Sequence, residues 1–329
     1  MTDSRWNMAA WAGRSETRAR RIYLLAGCLV IAGFFLAVLV RHDSSNGTDK
    51  NAGLRAIPSP ALLDATRRVP RTFPEAMVDS ISHNGHLTVT VHVALADRSS
   101  GAASRFADGR HPRTNLTWGA LYGVETHFAN VAGWRRAYTD NGDGPVLRRV
   151  VFHRRAEVTA AWRELGVAAP FDIYVLALAW PSTLAREAMN RPIREAMLQE
   201  PIPLTVEGEE LVFGSGSVLI GYLGPNAMAD GYWDPFEQLP NTYPRQPTGI
   251  FYLCSMSAVY LHDTVVRHGL YPVLFAREPI VPEAYLLDGM LQALAVGELD
   301  DGFLFRAAAQ YTKYQKGISP DRARRMLFR

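Results

Sequence analysis

Apolar residues follow two different periods along this chain, and the period switches repeatedly between them. Runs rich in β-branched and aromatic residues predict strands, whereas apolar residues three and four apart predict helices. The predicted strands cover residues 86–97, 147–154, 171–180, 211–224, 249–255 and 271–276. The predicted helices cover residues 115–131, 156–166, 182–199, 282–296, 302–316 and 320–328. Because buried strands that alternate with helices form mostly parallel sheets covered on both faces, we predict an α/β fold of that kind.

The predicted helix 182–199 carries two specific expectations. Ser182 is expected to be its N-cap, because a serine side chain can accept a hydrogen bond from a free N–H of the first turn. Pro192 is expected to kink or break the helix, because proline lacks an N–H and its ring clashes with the preceding turn.

Several polar or unusual residues fall where predicted strands end. They are Asp97, Trp180, Pro225 with Asn226, and Cys254. In open α/β sheets the ligand crevice lies at the carboxyl ends of the strands. This edge is therefore the predicted location of a functional site.

A run of 19 residues without a charge, from Ile22 to Val40, precedes all the predicted strands. At helical rise, a run of this length matches the hydrocarbon core of a bilayer, which is about 30 Å thick. The segment before it contains five arginines, Arg5, Arg14, Arg18, Arg20 and Arg21. By the positive-inside rule, we expect a single-pass protein of a bacterial inner membrane, with its C-terminal domain in the periplasm.

Two alternatives compete with this signal anchor. A cleaved signal peptide would have a shorter apolar core followed by small residues, whereas this run ends in two large apolar residues and Arg41. A lipoprotein signal would use Cys28, since residues 25–28 resemble a bacterial lipobox, but too few apolar residues precede that position.

The segment after the run contains four prolines among short apolar patches, which is typical of a stalk. The predicted organisation is a cytoplasmic basic tail (1–21), a transmembrane signal-anchor helix (22–41), a stalk (42–82) and the α/β domain (83–329).

Charge and cysteine content narrow the function classes. The net charge of +3 is carried by residues 1–21, so the rest of the chain is neutral and no nucleic-acid partner is expected. The chain has two cysteines, and an intrachain disulfide between Cys28 in the membrane segment and Cys254 is excluded. No phosphate loop or zinc motif is present in the sequence, so we expect neither a cofactor nor a metal site.

Six segments are similar, in their order and spacing, to a known family. They are residues 91–97 (VHVALAD), 115–128 (NLTWGALYGVETHF), 218–230 (VLIGYLGPNAMAD), 250–257 (IFYLCSMS), 282–291 (PEAYLLDGML) and 307–328 (AAAQYTKYQKGISPDRARRMLF). The chain resembles a family of bacterial exported proteins whose strand ends are similar to those of caspase-like cysteine peptidases. The resemblance implies a caspase-like three-layer sandwich, and its most specific parts are Asn-x-x-Trp-Gly and Tyr-x-Lys-Tyr-Gln.

In that family the fourth strand ends in Gly-His-Asn-Gly-x-x-Asp and the fifth in Ala-Cys-Lys-Ser. The resemblance implies a thiolate nucleophile beside an imidazole that takes the thiol proton. This chain keeps Cys254, Asn226 and Asp230, but Pro225 stands at the histidine position. Because proline cannot accept a proton, we expect Cys254 to be the remnant of a nucleophile position.

Other departures from the family point the same way. Ser255 and Met256 replace Lys-Ser after the cysteine, Arg98 replaces an asparagine, and Leu178 replaces an aspartate at the third strand end. A site that has lost several polar members together is typical of a pseudoenzyme.

Three other histidines could supply a displaced base: His127, His153 and His262. His262 is the best placed of the three, because it follows Cys254 by eight residues. Each also has a purely structural interpretation as an exposed or core histidine. An active cysteine hydrolase, a peptidase that uses Cys254 and His262, is therefore the alternative to an inactive domain.

The segment between the fourth and fifth predicted strands, residues 224–249, combines five prolines with aromatic residues that include Tyr232 and Trp233. Long loops in compact domains are often binding surfaces. Stiffened aromatics above a crevice suit capture of a peptide, and the predicted binding residues are Asp97, Asn226, Asp230, Tyr232 and Trp233.

Three functions remain open on the sequence. The favoured one is a membrane-anchored periplasmic domain without catalysis that binds a peptide or protein. The second is the cysteine hydrolase, and the third is a structural partner within an envelope complex.

The predicted topology can be tested with a reporter fused after Arg329. We expect periplasmic reporter activity and a protein that stays in the membrane fraction, because the arginines hold the N-terminus in the cytoplasm. Cytoplasmic activity would contradict the orientation, and release of a shorter soluble form would indicate cleavage.

Overall fold

The structure is a computed structural model that describes residues 72–100, 104–230, 239, 244 and 246–329. The chain divides into two compact units, residues 1–63 with 98–104, and residues 64–97 with 105–329. Of the first unit, a 3-10 turn at Arg98–Ser100 and residue 104 are described. The elements that follow belong to the second unit.

Strands and helices alternate along the second unit. The strands are β1 (His86–Ala94), β2 (Arg135–Asp140), β3 (Arg148–Ala156), β4 (Phe171–Trp180), β5 (Pro201–Val206), β6 (Glu209–Gly214), β7 (Leu219–Leu223), β8 (Gly249–Leu253), β9 (Tyr271–Ala276) and β10 (Leu327–Phe328). The α-helices are α1 (Phe73–Asn84), α2 (Val124–Asn130), α3 (Ala160–Glu164), α4 (Ala185–Leu198), α5 (Asp263–Arg267), α6 (Ala284–Val296), α7 (Asp301–Tyr314) and α8 (Pro320–Met326). A π-helical turn, Ala258–His262, leads directly into α5.

Eight strands form one sheet in the order β10-β9-β8-β7-β1-β4-β3-β2, and β5 and β6 form a separate hairpin. The strands β4, β1, β7, β8 and β9 run parallel to one another, whereas β2, β3 and β10 are antiparallel to their neighbours. The prediction of an α/β fold with a mostly parallel central sheet is therefore confirmed.

Successive side chains of the central strands point to opposite faces, and each face carries its own core. One core packs the sheet against α1, α2, α3, α6, α7 and α8. The other packs it against α4, α5 and the β5–β6 hairpin. Because both faces are covered, β7 and β8 are buried along their whole length.

Several predicted elements differ from the structure. The predicted strand 211–224 is split by a turn into β6 and β7, and the predicted helix 115–131 is helical only in α2. The strands β2, β5 and β10 were not predicted. These three are edge or hairpin strands, and most of their residues are exposed or only partly buried, so they lack the apolar run that identifies a central strand.

The predicted helix 182–199 starts later than expected and is not broken at Pro192. Ser182 starts a 3-10 turn, and Leu184 is the N-cap residue of α4. The helix continues through Pro192, which is buried. The Tyr252 hydroxyl donates to the carbonyl oxygen of Met189 at 2.9 Å, in the turn before the proline. The carbonyl that loses its helical N–H donor at Pro192 is that of Ala188, so the Tyr252 hydroxyl supports the same turn of the helix but does not replace the lost bond.

The helix α1 lies in the segment that was predicted to be stalk. Thr72 caps it, since its hydroxyl accepts from the Glu75 N–H while the Glu75 carboxylate accepts from the Thr72 N–H. Its residues Phe73, Met77 and Ile81 lie in the core. The folded domain therefore includes residues 73–82, and its start at residue 83 needs correction.

The predicted membrane span at 22–41 lies outside the described residues. Within those residues, no helix has both the length and the apolar character that a bilayer crossing needs.

The contribution of α1 can be measured by replacing Phe73, whose ring stacks on Tyr271 with centroids 4.6 Å apart. Because the side chain is buried, Phe73→Ala should lower the free energy of unfolding by about 3–5 kcal/mol in a denaturant titration. The control Ser82→Ala, at an exposed position of the same helix, should change it by less than about 0.5 kcal/mol. Equal stability of the two variants would mean that α1 is dispensable to the core.

Candidate functional site

The two strand ends that carry the family's histidine and cysteine positions are adjacent in the structure. β7 and β8 are parallel neighbours, with Leu223 opposite Leu253. Pro225 and Cys254 follow these residues, so both lie at the same edge of the sheet. Proline has no side-chain group that could accept a proton from the thiol, so Pro225 offers no base at this edge.

The turn out of β7 is built for close contact with its neighbours. Gly224 has φ of 154°, a conformation that favours glycine. A Cβ atom there would lie 2.9 Å from the Tyr222 hydroxyl oxygen and 3.0 Å from the Ala94 carbonyl oxygen. The Tyr222 hydroxyl donates to the carbonyl oxygen of Pro225 at 2.7 Å. A larger residue would disrupt this packing.

Asn226 connects the ends of the two strands. Its amide nitrogen donates to the carbonyl oxygen of Ser255 at 2.6 Å, and its amide oxygen accepts from the N–H of Met228 at 2.9 Å. Both ends of the side chain are therefore used within the protein. The predicted binding residue Asn226 has a structural role.

The turn that follows β8 is also held by internal hydrogen bonds. The Ser255 hydroxyl donates to the Ile280 carbonyl and accepts from the Ile280 N–H, each at 3.1 Å. The Ser257 hydroxyl donates to the Tyr252 carbonyl at 2.7 Å and accepts from the Ala276 N–H at 2.9 Å. Small hydroxyl side chains at these positions therefore join the turn to β9 and to the loop after it.

Cys254 lies beneath this turn and has no exposed surface. Its side chain faces the core that contains Tyr222, Tyr252 and α4. Burial raises the pKa of the Cys254 thiol well above its ordinary value, and the smaller opposite influence of the Ser257 hydroxyl does not offset this rise. The thiol is therefore protonated and inaccessible at neutral pH.

The three histidines considered as a displaced base all have other partners. His262 lies 3.0 Å from the Asp263 carboxylate, and its ring packs against Phe275 and Phe328. The described hydrogen bonds and ring contacts of His262 do not include Cys254.

His127 and His153 are likewise paired. His127 lies 3.2 Å from the Asp288 carboxylate in α6, within the core on the opposite face of the sheet from Cys254. His153 contacts the Asp172 carboxylate at 2.7 Å and Arg135 at 2.9 Å. Neither contact set offers a base to the thiol.

A fourth histidine, His92, lies on the same face of the sheet as Cys254 and was missed in the sequence. Its Nε2 atom lies 3.1 Å from a Glu195 carboxylate oxygen, and its Nδ1 atom accepts from the Trp180 indole at 3.1 Å. Because β7 separates β1 from β8, two strand spacings of about 4.8 Å keep it from the thiol. The alternation of side chains along β1 was sufficient to assign His92 to this face of the sheet.

The remaining predicted site residues are Asp97, Asp230, Tyr232 and Trp233. Asp97 follows β1, is partly buried and has an interaction partner. Asp230 ends the 3-10 turn Ala227–Asp230. Tyr232 and Trp233 lie outside the described residues. Within the described part of the chain, no group of three or more metal-binding side chains is present.

The two most specific segments of the resemblance have structural roles in this protein. The Asn115 amide nitrogen donates to the carbonyl oxygens of Ala96 and Asp108, at 2.7 and 2.9 Å, and so fixes the loop after β1. The Tyr314 ring stacks on Tyr285, with centroids 5.0 Å apart. The described contacts of Asn115 and Tyr314 therefore stabilise the surrounding structure and do not position a reactive group.

Among the carboxyls of the described residues, Glu283 has a pKa well above the ordinary range. It is buried at the N-cap position of α6, where burial raises its pKa to about 7 although a hydrogen bond with Tyr285 lowers it. A buried carboxyl without a cation beside it favours its neutral form.

No family model, no curated protein and no solved structure matches the chain. The interpretation of the site therefore depends on its own geometry.

The raised pKa of Glu283 predicts a specific pH dependence of stability. Because the folded protein binds this proton more tightly than the unfolded chain, the stabilisation is complete below about pH 4.5 and is lost as the pH rises through about 7. The loss should be on the order of 3 kcal/mol. The measurement is the free energy of unfolding of wild type minus that of Glu283→Gln between pH 4.5 and 8. A constant difference would contradict it.

Proposed function

We propose that this protein is a membrane-anchored periplasmic domain of caspase-like ancestry that has lost catalysis and acts by binding a peptide or protein. The observation that carries the proposal is the burial of Cys254 beside a strand end that bears Pro225. Cysteine hydrolysis needs an accessible thiolate and a base within hydrogen-bond reach. Neither requirement is met by the described residues.

The hydrogen bonds around Cys254 favour a site that has lost catalysis over an active site that is merely covered by a loop. Ser255, Ser257 and Asn226 use their polar side-chain atoms to join neighbouring loops. Exposing the thiol itself to a substrate would break these hydrogen bonds together, at a net cost of roughly 0.5–1.5 kcal/mol each. These internal hydrogen bonds stabilise the region around the ends of β7 and β8.

The choice of a peptide or protein as partner is supported by the sequence between β7 and β8. This segment joins adjacent parallel strands, so it leaves β7 at the carboxyl edge of the sheet and enters β8 at the opposite edge. It combines several prolines with Tyr232 and Trp233. Aromatic side chains carry much of the binding energy in recognition surfaces, and proline reduces the entropy lost on ordering.

The state of Cys254 separates this proposal from the hydrolase alternative. In a Cys28→Ser background, which leaves one thiol, alkylation at pH 7.5 should be at least about 100-fold slower in the folded chain than in denaturant. Burial and the raised pKa of the thiol both slow the reaction. The measurement is the rate of adduct formation followed by intact-protein mass spectrometry.

A second variant tests whether His262 affects the rate at which Cys254 is alkylated. His262→Ala should leave the slow rate unchanged, because His262 contacts Asp263 and two phenylalanines instead of the thiol. Rapid stoichiometric labelling of the folded chain that is lost in His262→Ala would favour the hydrolase.

A further inference from the structure

The loop between β9 and α6, residues 277–283, covers the turn that follows β8. It belongs to neither a helix nor a strand. Ser255 makes its two hydrogen bonds with Ile280, and the Met256 N–H donates to the carbonyl oxygen of Glu278 at 3.1 Å. We call residues 277–283 the strap. The strap is held to its neighbours by individual hydrogen bonds outside the helices and the strand ladders, and bonds of this kind can break locally without unfolding the sheet.

The two halves of the strap have different anchors. In the first half, Arg277 lies over the Phe328 ring at 3.9 Å, and Glu278 pairs with Arg322 of α8. In the second half, the Val281 N–H donates to the Tyr311 hydroxyl at 3.3 Å. The first half is therefore held by arginines that keep their charge at neutral pH, whereas the second half depends on hydroxyl groups.

Glu283 ends the second half of the strap, and its side chain is turned into the protein. The groups that face it are the hydroxyls of Tyr285 in α6 and Tyr311 in α7. Gln315 donates to the Tyr285 hydroxyl at 2.6 Å. Among the described residues, no arginine, lysine or histidine is among the groups that act on the Glu283 carboxyl. A protonated carboxyl suits these surroundings, whereas an ionised one would be a buried charge without a partner.

We propose that the strap is a proton-controlled cover, in which residues 280–283 close over the Ser255 turn while Glu283 is protonated and open when Glu283 ionises. On opening, the proton passes to solvent and the carboxylate moves toward water. The movement breaks the bonds of Ile280 with Ser255 and of Val281 with Tyr311. The uncovered groups lie at the carboxyl edge of β8, where ligands bind in open α/β sheets.

This device does not depend on the identity of a partner, so its failure would leave the proposed binding function standing. Failure of the proposed cover would mean only that pH does not control access to this edge of the sheet.

Hydrogen exchange of the full-length chain tests the cover directly. The observable is the protection of the Ile280 and Val281 amides at pH 5 to 8, measured by mass spectrometry and corrected with an unfolded reference. In wild type we expect protection to fall roughly a hundredfold over this range, because each opening exposes a carboxyl that ionises. It should also stay below the protection of β1 and β7 at every pH, since the opening is local.

Two variants serve as controls. Glu283→Gln cannot ionise and should remove the pH dependence at the strap. Ser255→Ala lacks the bonds to Ile280 and should lower strap protection at every pH while the dependence on pH remains.

Strap protection that does not change with pH in wild type would overturn the proposal. Equal protection of the strap and of β1 and β7 would also overturn it, because Glu283 would then ionise only on global unfolding. If Glu283→Gln does not fold, wild type and Ser255→Ala still decide between these outcomes.

Discussion

A parallel sheet covered on both faces must satisfy its buried polar groups from within the protein, and most of the local structure here follows from that constraint. On the face of β1 that meets α4 and the β5–β6 hairpin, Thr88, Thr90 and His92 are polar and buried. Each has a partner in the hairpin, the turn after it or α4. The same requirement shapes the ends of β7 and β8, where Asn226 and Ser255 bond to neighbouring backbone groups.

The same constraint shapes the surroundings of the Cys254 thiol. A reactive thiol needs a polar, partly exposed environment that stabilises its thiolate. In this protein the polar groups nearby are hydrogen-bonded within the protein. The thiol lies in the core cluster that also contains Tyr222 and Tyr252. Glu283 is the exception at this edge, because it is buried without a cationic partner.

The sequence predicted the parts of the fold that depend on continuous burial. The apolar runs of β4, β8 and β9 were sufficient to predict a mostly parallel sheet, because strands buried on both faces are apolar throughout. The helix α1 was missed because a capping box and only three buried residues distinguish it from a stalk. Ser182 was misplaced because its hydroxyl could cap a helix, but the chain first makes a 3-10 turn.

The candidate site was predictable only in outline. The adjacency of Pro225 and Cys254 follows from parallel pairing of consecutive strands, which a sequence pattern can indicate. The partner of Ser255 is Ile280, 25 residues away along the chain, and Gln315, which donates to the Tyr285 hydroxyl beside Glu283, is 30 residues from Tyr285. Such long-range contacts have no local signal. The role of His92 was accessible from strand alternation, but its partner Glu195 was not.

The account depends on a thiol that is buried and without a base, and its ionisation can be observed directly. The measurement is the ¹³Cβ chemical shift of selectively labelled Cys254 in the Cys28→Ser chain as the pH is raised from 5 to 10. We expect no titration step over this range while the protein stays folded, because burial raises the thiol pKa well above its ordinary value. A step below about pH 8, under the unperturbed thiol pKa of about 8.5, would show a stabilised thiolate and contradict the account.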